Sequence, residues 1–317
     1  MVSYKTVPAK KKKMTVGRIL KDYWQLYVLL IVPVAYTLIF NYYPMSGIQI
    51  AFKKFNYSLG VWGSPWIGWQ NFEKFFTNYM FSRIMTNTIR ISVLSVLIQF
   101  PFPIIFALAL NSVYHARFKK TVQTITYIPH FISTVVLVGI VRQVFHPRLG
   151  LYGVIYYSVT GAYPLDPFIV PEAFDWLYIL SGVWQNFGYG SIMYLAALAN
   201  VPGELYEAAE IDGANRFQRM LHIEIPSILP IVIIMLIMRV GSLLGVGFEK
   251  VYLMQTNMNL RTSEVISTYV YKQSIGGGAL GQYGYSQAVD LFNNVVNLIL
   301  LFSVNTVARK VSETSLW

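Results

Sequence analysis

Residues 228–248 read ILPIVIIMLIMRVGSLLGVGF, an apolar run in which Arg239 is the one charged side chain. A helix of about 20 residues, rising about 1.5 Å per residue, covers the roughly 30 Å hydrocarbon layer of a membrane. Lipid requires backbone groups to be paired within the protein, and the chain lacks the alternating segments typical of membrane β-barrels. The sequence therefore predicts an all-α membrane protein with about six transmembrane helices, because five further runs are similar: Tyr23–Tyr43, Ile84–Leu110, Ile125–Phe145, Leu177–Ala199 and Tyr285–Val307.

The composition also indicates a membrane protein. The chain is 55% hydrophobic and 12% charged, whereas about 25% of residues are charged in an ordinary soluble domain. It contains no cysteine, so disulfides and thiolate metal sites are excluded. We expect no metal, because the four histidines lack metal-ligand spacing: His115, His130, His146 and His222. The net charge of +11 does not indicate a nucleic-acid partner, since no basic and aromatic surface module recurs.

The distribution of Lys and Arg predicts the orientation, because cytoplasmic segments carry the excess of these residues. They are concentrated before the first run, between the second and third, between the fourth and fifth, and after the sixth. Both termini are therefore expected in the cytoplasm, with basic segments near anionic lipid. The predicted parts are a basic tail (1–22), a transmembrane domain (23–307) and a second cytoplasmic tail (308–317).

One segment on the predicted inner side does not look like an ordinary connection. Residues 201–226 read VPGELYEAAEIDGANRFQRMLHIEIP. Pro202 suits the first turn of a helix, and glutamates near that end interact favourably with the helix dipole. The pair Asp212 and Gly213 ends this first short helix.

A second short helix is expected to follow, with Asp212 as its cap. Phe217, Met220 and Leu221 then fall on one face at helical spacing, and Pro226 ends the helix before the fifth run. Two short helices with an apolar knob and exposed acids are typical of a surface that fits a partner. The alternative is a helical loop packed against its own bundle.

This segment resembles the EAA loop of ABC importer permeases. The resemblance rests on Glu207-Ala208-Ala209, then Asp212-Gly213-Ala214, then Ile225-Pro226 and Pro230. The chain is similar to carbohydrate-uptake permeases of the maltose type, nearest to the branch for polysaccharide-derived oligosaccharides, some of them acidic. One departure is isoleucine at position 225, where leucine often precedes the proline. The similarity covers nearly the whole chain and includes LAALANVP (195–202), IGWQNF (67–72), FEKVYL (248–253) and ISTYVY (266–271).

The resemblance implies that the EAA helix fits a cleft in a separate ATPase subunit. Glu207 would make the charged contact, Ala208 and Ala209 would permit close approach, and Gly213 would supply the turn. The implied coupling residues are Glu207, Ala208, Ala209, Asp212, Gly213, Phe217, Met220 and Pro226. The implied partners are a second permease subunit in a heterodimer, two ATPase subunits and an extracytoplasmic solute-binding protein.

The chain itself is not expected to be an enzyme or to bind a cofactor. It contains no GxxxxGK[ST] sequence, and residues 276–281 match GxGxxG without the strand that a dinucleotide site needs. ATP and Mg²⁺ are therefore expected on the partner ATPase.

Polar side chains within the runs are the candidates for a substrate path. Burying Arg239 at midspan costs about 2.5–3.5 kcal/mol, so it should seek a partner or water. Amides and aromatic rings suit an oligosaccharide. The alternative is that these groups form interhelical hydrogen bonds and an Arg–Asp pair. The candidates are Arg90, Trp184, Gln185, Asn186, Tyr189, Tyr194, Arg239, Asn293, Asn294 and Asn297.

One predicted outer loop and the function of the chain have alternative interpretations. The loop Tyr42–Thr77, rich in tryptophan, is either a packed cap or a docking surface for an external binding protein. A non-sugar solute remains open. An ion-coupled transporter should show internal repeats and buried acids, and only Asp290 could serve. A membrane enzyme would need convergent catalytic groups, and a structural anchor would not need the EAA loop.

Overall fold

The structure, a computed structural model, describes residues 22–276, 282–312 and 315–316. Within these ranges the chain is helical, and pairing of extended segments is limited to one isolated bridge between Lys53 and Trp66. The predicted all-α class is confirmed. Almost all of the basic N-terminal tail and most of the GxGxxG-like turn lie outside the described residues.

The helices are labelled in chain order. They are α1 (Trp24–Phe52), α2 (Gln70–Phe76), α3 (Phe81–Asn111), α4 (Ala116–Phe131), α5 (Thr134–Val144), α6 (Leu151–Thr160), α7 (Phe174–Gly190), α8 (Ile192–Ala199), α9 (Gly203–Ile211), α10 (Arg216–Gly241), α11 (Phe248–Met254), α12 (Ile266–Gln273) and α13 (Tyr283–Ser312). Shorter helical turns lie at Gly60–Gly63, Pro171–Ala173 and Leu260–Ser263.

Four helices, α1, α3, α10 and α13, are long and apolar enough to cross a membrane. The third predicted run, Ile125–Phe145, does not form one straight helix, because α4 and α5 meet at an angle of 104°. Pro129 lacks an N–H donor where α4 narrows to a 3₁₀ turn. Ser133 then starts a new helix by accepting a hydrogen bond from the Val136 N–H. The pair could count as a fifth span.

The fourth predicted run, Leu177–Ala199, corresponds to two helices separated at Ser191. Helix α7 has 17 residues and α8 has 8, so neither is long enough by itself for a membrane span. Gly188 lets α7 approach α4 closely, since a Cβ there would lie 2.2 Å from the Thr126 carbonyl oxygen. A larger residue at position 188 would force these two helices apart.

The boundaries of the fifth predicted run, Ile228–Phe248, are wrong at both ends. The apolar run is part of α10, which begins at Arg216 and ends at Gly241. Pro226 does not end the preceding short helix, because residues Met220–Glu224 form a π turn in which Ile225 N–H reaches back to the Met220 carbonyl. This wider turn accommodates the proline within a continuous helix.

Most buried side chains lie on the helices after α1, and none of the residues Trp24–Thr37 of α1 is buried. The end of α1 contacts the bundle, where Ala51 and Phe52 pack with Phe72 and Ala288. One cluster joins α3, α5, α7 and α11 around Ile91. A second joins the C-terminal end of α3 to α8 and α10, with Leu108, Tyr194, Leu198 and Ile228.

Candidate coupling surface and translocation path

Helix α9 carries the EAA sequence and is referred to below as the EAA helix. No residue of this helix is buried. Tyr206 and Ala209 are half-buried and face the bundle, whereas Glu207 and Ala208 are exposed on the other side. Glu207 has no side-chain hydrogen bond or ion pair among the described residues. The carboxylate is therefore available to a group outside this chain.

The turn after the EAA helix requires glycine. Gly213 has a φ of +72°, and its N–H donates to the Glu210 carbonyl at 3.1 Å. The next N–H, of Ala214, donates to the Ala209 carbonyl at 2.8 Å. These two bonds form a Schellman motif, which satisfies carbonyls that the helix end would leave unpaired. The expectation that Gly213 supplies the turn agrees with this backbone.

The cap of the following helix differs from the prediction. Asp212 is exposed and ends the EAA helix, and the cap of α10 is Asn215. Asn215 accepts from the Gln218 N–H at 2.9 Å, and its own N–H donates to the Gln218 side chain at 2.8 Å. This reciprocal capping box places the cap three residues after Asp212, because the Schellman turn first reverses the chain.

The apolar knob predicted on α10 is present and accessible. Phe217 is 62% exposed and Leu221 is 42% exposed, while Ile211 at the end of the EAA helix is 87% exposed. Met220 is half-buried and packs instead against the core cluster that contains Leu198 and Ile228. Exposed apolar side chains beside an unpaired carboxylate form a surface suited to a protein partner.

A polar cavity of about 240 Å³ lies between α3, α7, α10 and α11. Three predicted path residues, Gln185, Asn186 and Arg239, line it together. Arg239 donates to the Gln99 side-chain oxygen at 3.2 Å, and Gln99 donates in turn to the Ile179 carbonyl at 3.2 Å. Arg239 has thus found an amide partner while its guanidinium remains exposed to the cavity.

Most lining residues were not among the predicted ones, and these include Ser92, Ser95, Gln99 and Lys250. The Lys250 amine donates to the Tyr178 carbonyl at 2.8 Å and lies 4.8 Å from the centre of the Tyr178 ring. Burial lowers the pKa of Lys250 to about 7. The hydroxyls of Ser92 and Ser95 are buried and have no hydrogen-bond partner among the described residues. They are available to a ligand or to water.

Gly182 sets the distance between the two sides of this cavity. A Cβ at this position would lie 2.5 Å from the Gln99 amide nitrogen and 3.3 Å from the Lys250 amine. Only a glycine allows both polar groups to approach α7 this closely. The glycine therefore helps to hold the amide and the amine at one place.

Tyr194 contributes to a neighbouring cavity rather than to this one. That cavity, of about 340 Å³, shares Gln99, Asn186 and Arg239 with the first. Tyr189 is stacked on His130, with ring centres 3.8 Å apart, and His130 also contacts the Asn186 side-chain oxygen at 3.1 Å. Trp184 lines a separate apolar cavity of about 440 Å³ between α5 and α7.

The remaining predicted path residues do not line either polar cavity. Arg90 pairs with Asp175 at 2.8 Å, an Arg–Asp pair of the kind that the alternative interpretation expects. The Asn297 side-chain oxygen accepts from the Leu244 N–H at 3.0 Å, where α10 has ended. Asn294 contacts Asp290 on its own helix, and Asn293 is buried. These positions favour structural roles, although a role in transport for them remains a prediction.

The tryptophan-rich loop, residues 42–77, combines packed residues with exposed aromatic rings. Lys53 is buried and donates to the Val61 carbonyl at 2.8 Å, while Phe72 packs in the core. Trp62, Trp66 and Trp69 are 65–73% exposed. The loop thus has the packed residues expected of a cap and the exposed aromatic rings expected of a docking surface.

A helical membrane chain with an exposed EAA helix and a polar cavity between its spans has the architecture of a transport permease. The family described as "Binding-protein-dependent transport system inner membrane component" matches residues 99–313. The chain belongs to this family. It is therefore a multi-pass membrane component of a transporter, as the EAA resemblance implied.

Individual relatives cover almost the whole chain. It is 41% identical to "Protein LplB" of Bacillus subtilis over 98% of this chain and 99% of that one. It is 38% identical to the "Polygalacturonan/rhamnogalacturonan transport system permease protein YteP" of the same organism, over 97% and 94%. A crystal structure of a bacterial ABC transporter "involved in the import of the acidic polysaccharide alginate" matches with a TM-score of 0.86 and 36% identity, over 94% and 99%. A second crystal structure of a bacterial alginate ABC transporter, in complex with an alginate pentasaccharide-bound periplasmic protein, also matches with a TM-score of 0.86.

Proposed function

We propose that this chain is the transmembrane permease subunit of an ABC importer that moves acidic, polysaccharide-derived oligosaccharides across the inner membrane. In this proposal it pairs with a second permease subunit. Two ATPase subunits bind ATP and Mg²⁺, and an extracytoplasmic binding protein delivers the saccharide. The chain contributes the path and the coupling surface and catalyses no bond cleavage itself.

The proposed substrate class rests on the positive charge of the polar cavity between α3, α7, α10 and α11. Arg239 and Lys250 line it with the amides of Gln99, Gln185 and Asn186, and none of the described lining residues is acidic. A uronate carries one carboxylate per sugar ring together with hydroxyls. Cations and amides at one place match both groups, because a charge-assisted hydrogen bond is stronger than a neutral one.

The relatives support the same substrate class. YteP is a permease for polygalacturonan and rhamnogalacturonan by its name, and the alginate transporter imports an acidic polysaccharide. Both substrates contain uronic acids. A non-sugar solute is the other candidate, and it would have to use the same two cations.

The ATPase is proposed to bind at the surface formed by the EAA helix and the start of α10. Glu207 provides an unpaired charge there, and Ile211 and Phe217 provide exposed apolar area. An interface with an apolar centre and a few charged contacts is typical of stable protein complexes.

The proposed orientation places this surface in the cytoplasm and the tryptophan-rich loop outside. It can be tested with single cysteines at positions 62 and 119, because the chain has no cysteine of its own. An impermeant thiol reagent added outside should label position 62 and not position 119. The reverse pattern would contradict the orientation.

The substrate proposal is tested by ATP hydrolysis of the reconstituted complex. We expect an oligogalacturonate or an alginate oligosaccharide, bound to the binding protein, to stimulate hydrolysis more than a neutral malto-oligosaccharide of the same length. Removal of charge by carboxyl reduction of the uronate provides a matched control. Equal stimulation by the acidic and reduced saccharides would refute the role of the two cations.

A further inference from the structure

A buried carboxylate lies at the inner end of the bundle, between the EAA helix and the membrane helices. Glu224 on α10 is 5% exposed. Its Oε1 atom accepts from the Asn111 amide at 2.8 Å and from the Tyr206 hydroxyl at 3.4 Å. Asn111 is the last residue of α3, and Tyr206 lies on the EAA helix. Three helices therefore meet at one oxygen, and we call this group of three residues the Glu224 junction.

The EAA helix is otherwise held only lightly to α10. None of its residues is buried. Its second polar contact with α10 is the pair between Glu210 and Arg219, at 4.0 Å, in which the Glu210 side chain is 81% exposed. An exposed ion pair of this kind contributes little to stability. The Tyr206 hydroxyl at the junction is thus the more protected of the two polar ties to α10.

The tyrosine is a donor at this contact. Burial is the main cause that raises the pKa of Tyr206, and the nearby Glu224 carboxylate raises it further. The hydroxyl consequently keeps its proton at neutral pH and donates it to the carboxylate oxygen.

The second oxygen of Glu224 is also informative. Oε2 is buried and has no hydrogen-bond partner among the described residues. Glu224 is among the lining residues of a cavity of about 260 Å³ to which Arg216 and Arg219 also contribute. A buried carboxylate oxygen without a donor is rare in folded proteins. The Arg219 guanidinium could donate a hydrogen bond to this oxygen. Its present partner, the exposed carboxylate of Glu210, is 4.0 Å away.

We propose that Glu224 is a positioning residue for energy coupling, which joins the EAA helix to the inner ends of α3 and α10. When a partner displaces the EAA helix, the bond from Tyr206 transmits the displacement to Glu224 and Asn111. The open Oε2 gives Arg219 a second acceptor once its contact with Glu210 is broken. This inference rests on the proposed function, because an ATPase partner has to move the EAA helix.

A first test measures the chain itself and needs no transport. A spin label on a cysteine at position 208 reports the mobility of the EAA helix in the purified full-length chain. Tyr206→Phe removes only the hydroxyl and should increase the mobile fraction, and Glu224→Gln should increase it less because an amide oxygen remains. Tyr114→Phe is the matched control, since Tyr114 lines the same cavity and its ring faces Arg216 at 4.6 Å. Unchanged mobility in Tyr206→Phe would overturn the proposal.

A second test uses the reconstituted complex and measures saccharide taken up per ATP hydrolysed. The loss of a hydrogen bond to a charged group should lower this ratio about tenfold in Tyr206→Phe. Tyr114→Phe should leave it unchanged, and the double variant of Tyr206→Phe with Glu224→Gln should fall no further than the worse single variant. Additive effects, or a normal ratio in Tyr206→Phe, would contradict the coupling role.

The two tests also separate this inference from the proposed function. If no saccharide stimulates ATP hydrolysis by the wild-type complex, the proposed function fails. The mobility of the label still decides whether the Glu224 junction holds the EAA helix.

Discussion

Replacing Glu207 by lysine should release the ATPase while the permease remains folded in the membrane. The Glu207 side chain is exposed and has no partner among the described residues of its own chain. Surface substitutions of this type usually change stability by about 0.5 kcal/mol or less. The folded chain and its insertion should therefore be unaffected.

The effect on docking should be much larger. In the proposed complex the apolar side chains of Ile211 and Phe217 exclude water from the carboxylate, so that its ion pair becomes desolvated. Removing one member of such a pair costs about 3–5 kcal/mol. At about 1.4 kcal/mol for each factor of ten, the dissociation constant for the ATPase should rise by about 100- to 4000-fold. Glu207→Gln should lose less, because it adds no repulsion.

The assay is a titration of the ATPase subunit against permease complexes in nanodiscs, followed by substrate-stimulated hydrolysis. Glu204→Lys is the matched control, since it makes the same change of charge one turn earlier on the exposed helix. We expect it to weaken docking far less. Normal docking and stimulation in Glu207→Lys would refute the coupling assignment, and equal losses in both variants would show that only net charge matters.

Three further outcomes follow from the same structure. Gly213→Val should reduce the amount of ATPase recovered in a pull-down, because a β-branched residue is strained at a φ of +72°. Gly213→Asn should reduce it less, since asparagine adopts positive φ more readily. Uptake of an acidic saccharide should fall as the pH rises through about 7, because the Lys250 amine then loses its charge, and Lys250→Arg should flatten this profile. Arg239→Met should lower uptake while the complex assembles normally. Asn297→Leu should instead lower thermal stability, by about 1–3 kcal/mol, since it leaves the buried Leu244 N–H without its acceptor.

Local sequence was sufficient to predict most of the geometry of the EAA segment. The EAA pattern, the glycine with positive φ and the apolar spacing of the second helix all act within one or two helical turns. The exceptions were the cap and the helix end predicted at Pro226, which lies within the continuous helix α10. Asp212 and Asn215 are both good caps by residue type, and the choice between them depends on where the Schellman turn ends.

Helix breaks were harder to predict than apolar runs. A hydropathy run does not record the bend of 104° between α4 and α5 or the interruption at Ser191, because each depends on a few backbone groups. Part of the polar cavity lining could have been predicted from the sequence. Ser92, Ser95 and Gln99 have spacings of three and four residues within an apolar run, which places them on one helix face. Lys250 offered no such signal, since the irregular segment after Gly241 carries it back to the bundle.

The two arginines within the predicted spans show where sequence reasoning about polar residues reaches its limit. Arg90 and Arg239 have the same insertion cost and both need a partner. Arg90 pairs with the carboxylate of Asp175, 85 residues away, and this pair compensates its charge. Among the described residues, the partner of Arg239 is the neutral amide of Gln99, 140 residues away, so the arginine keeps its charge beside the cavity. A charge that the protein does not compensate is available to a substrate, so the partner rather than the residue type separates a structural arginine from one on the path.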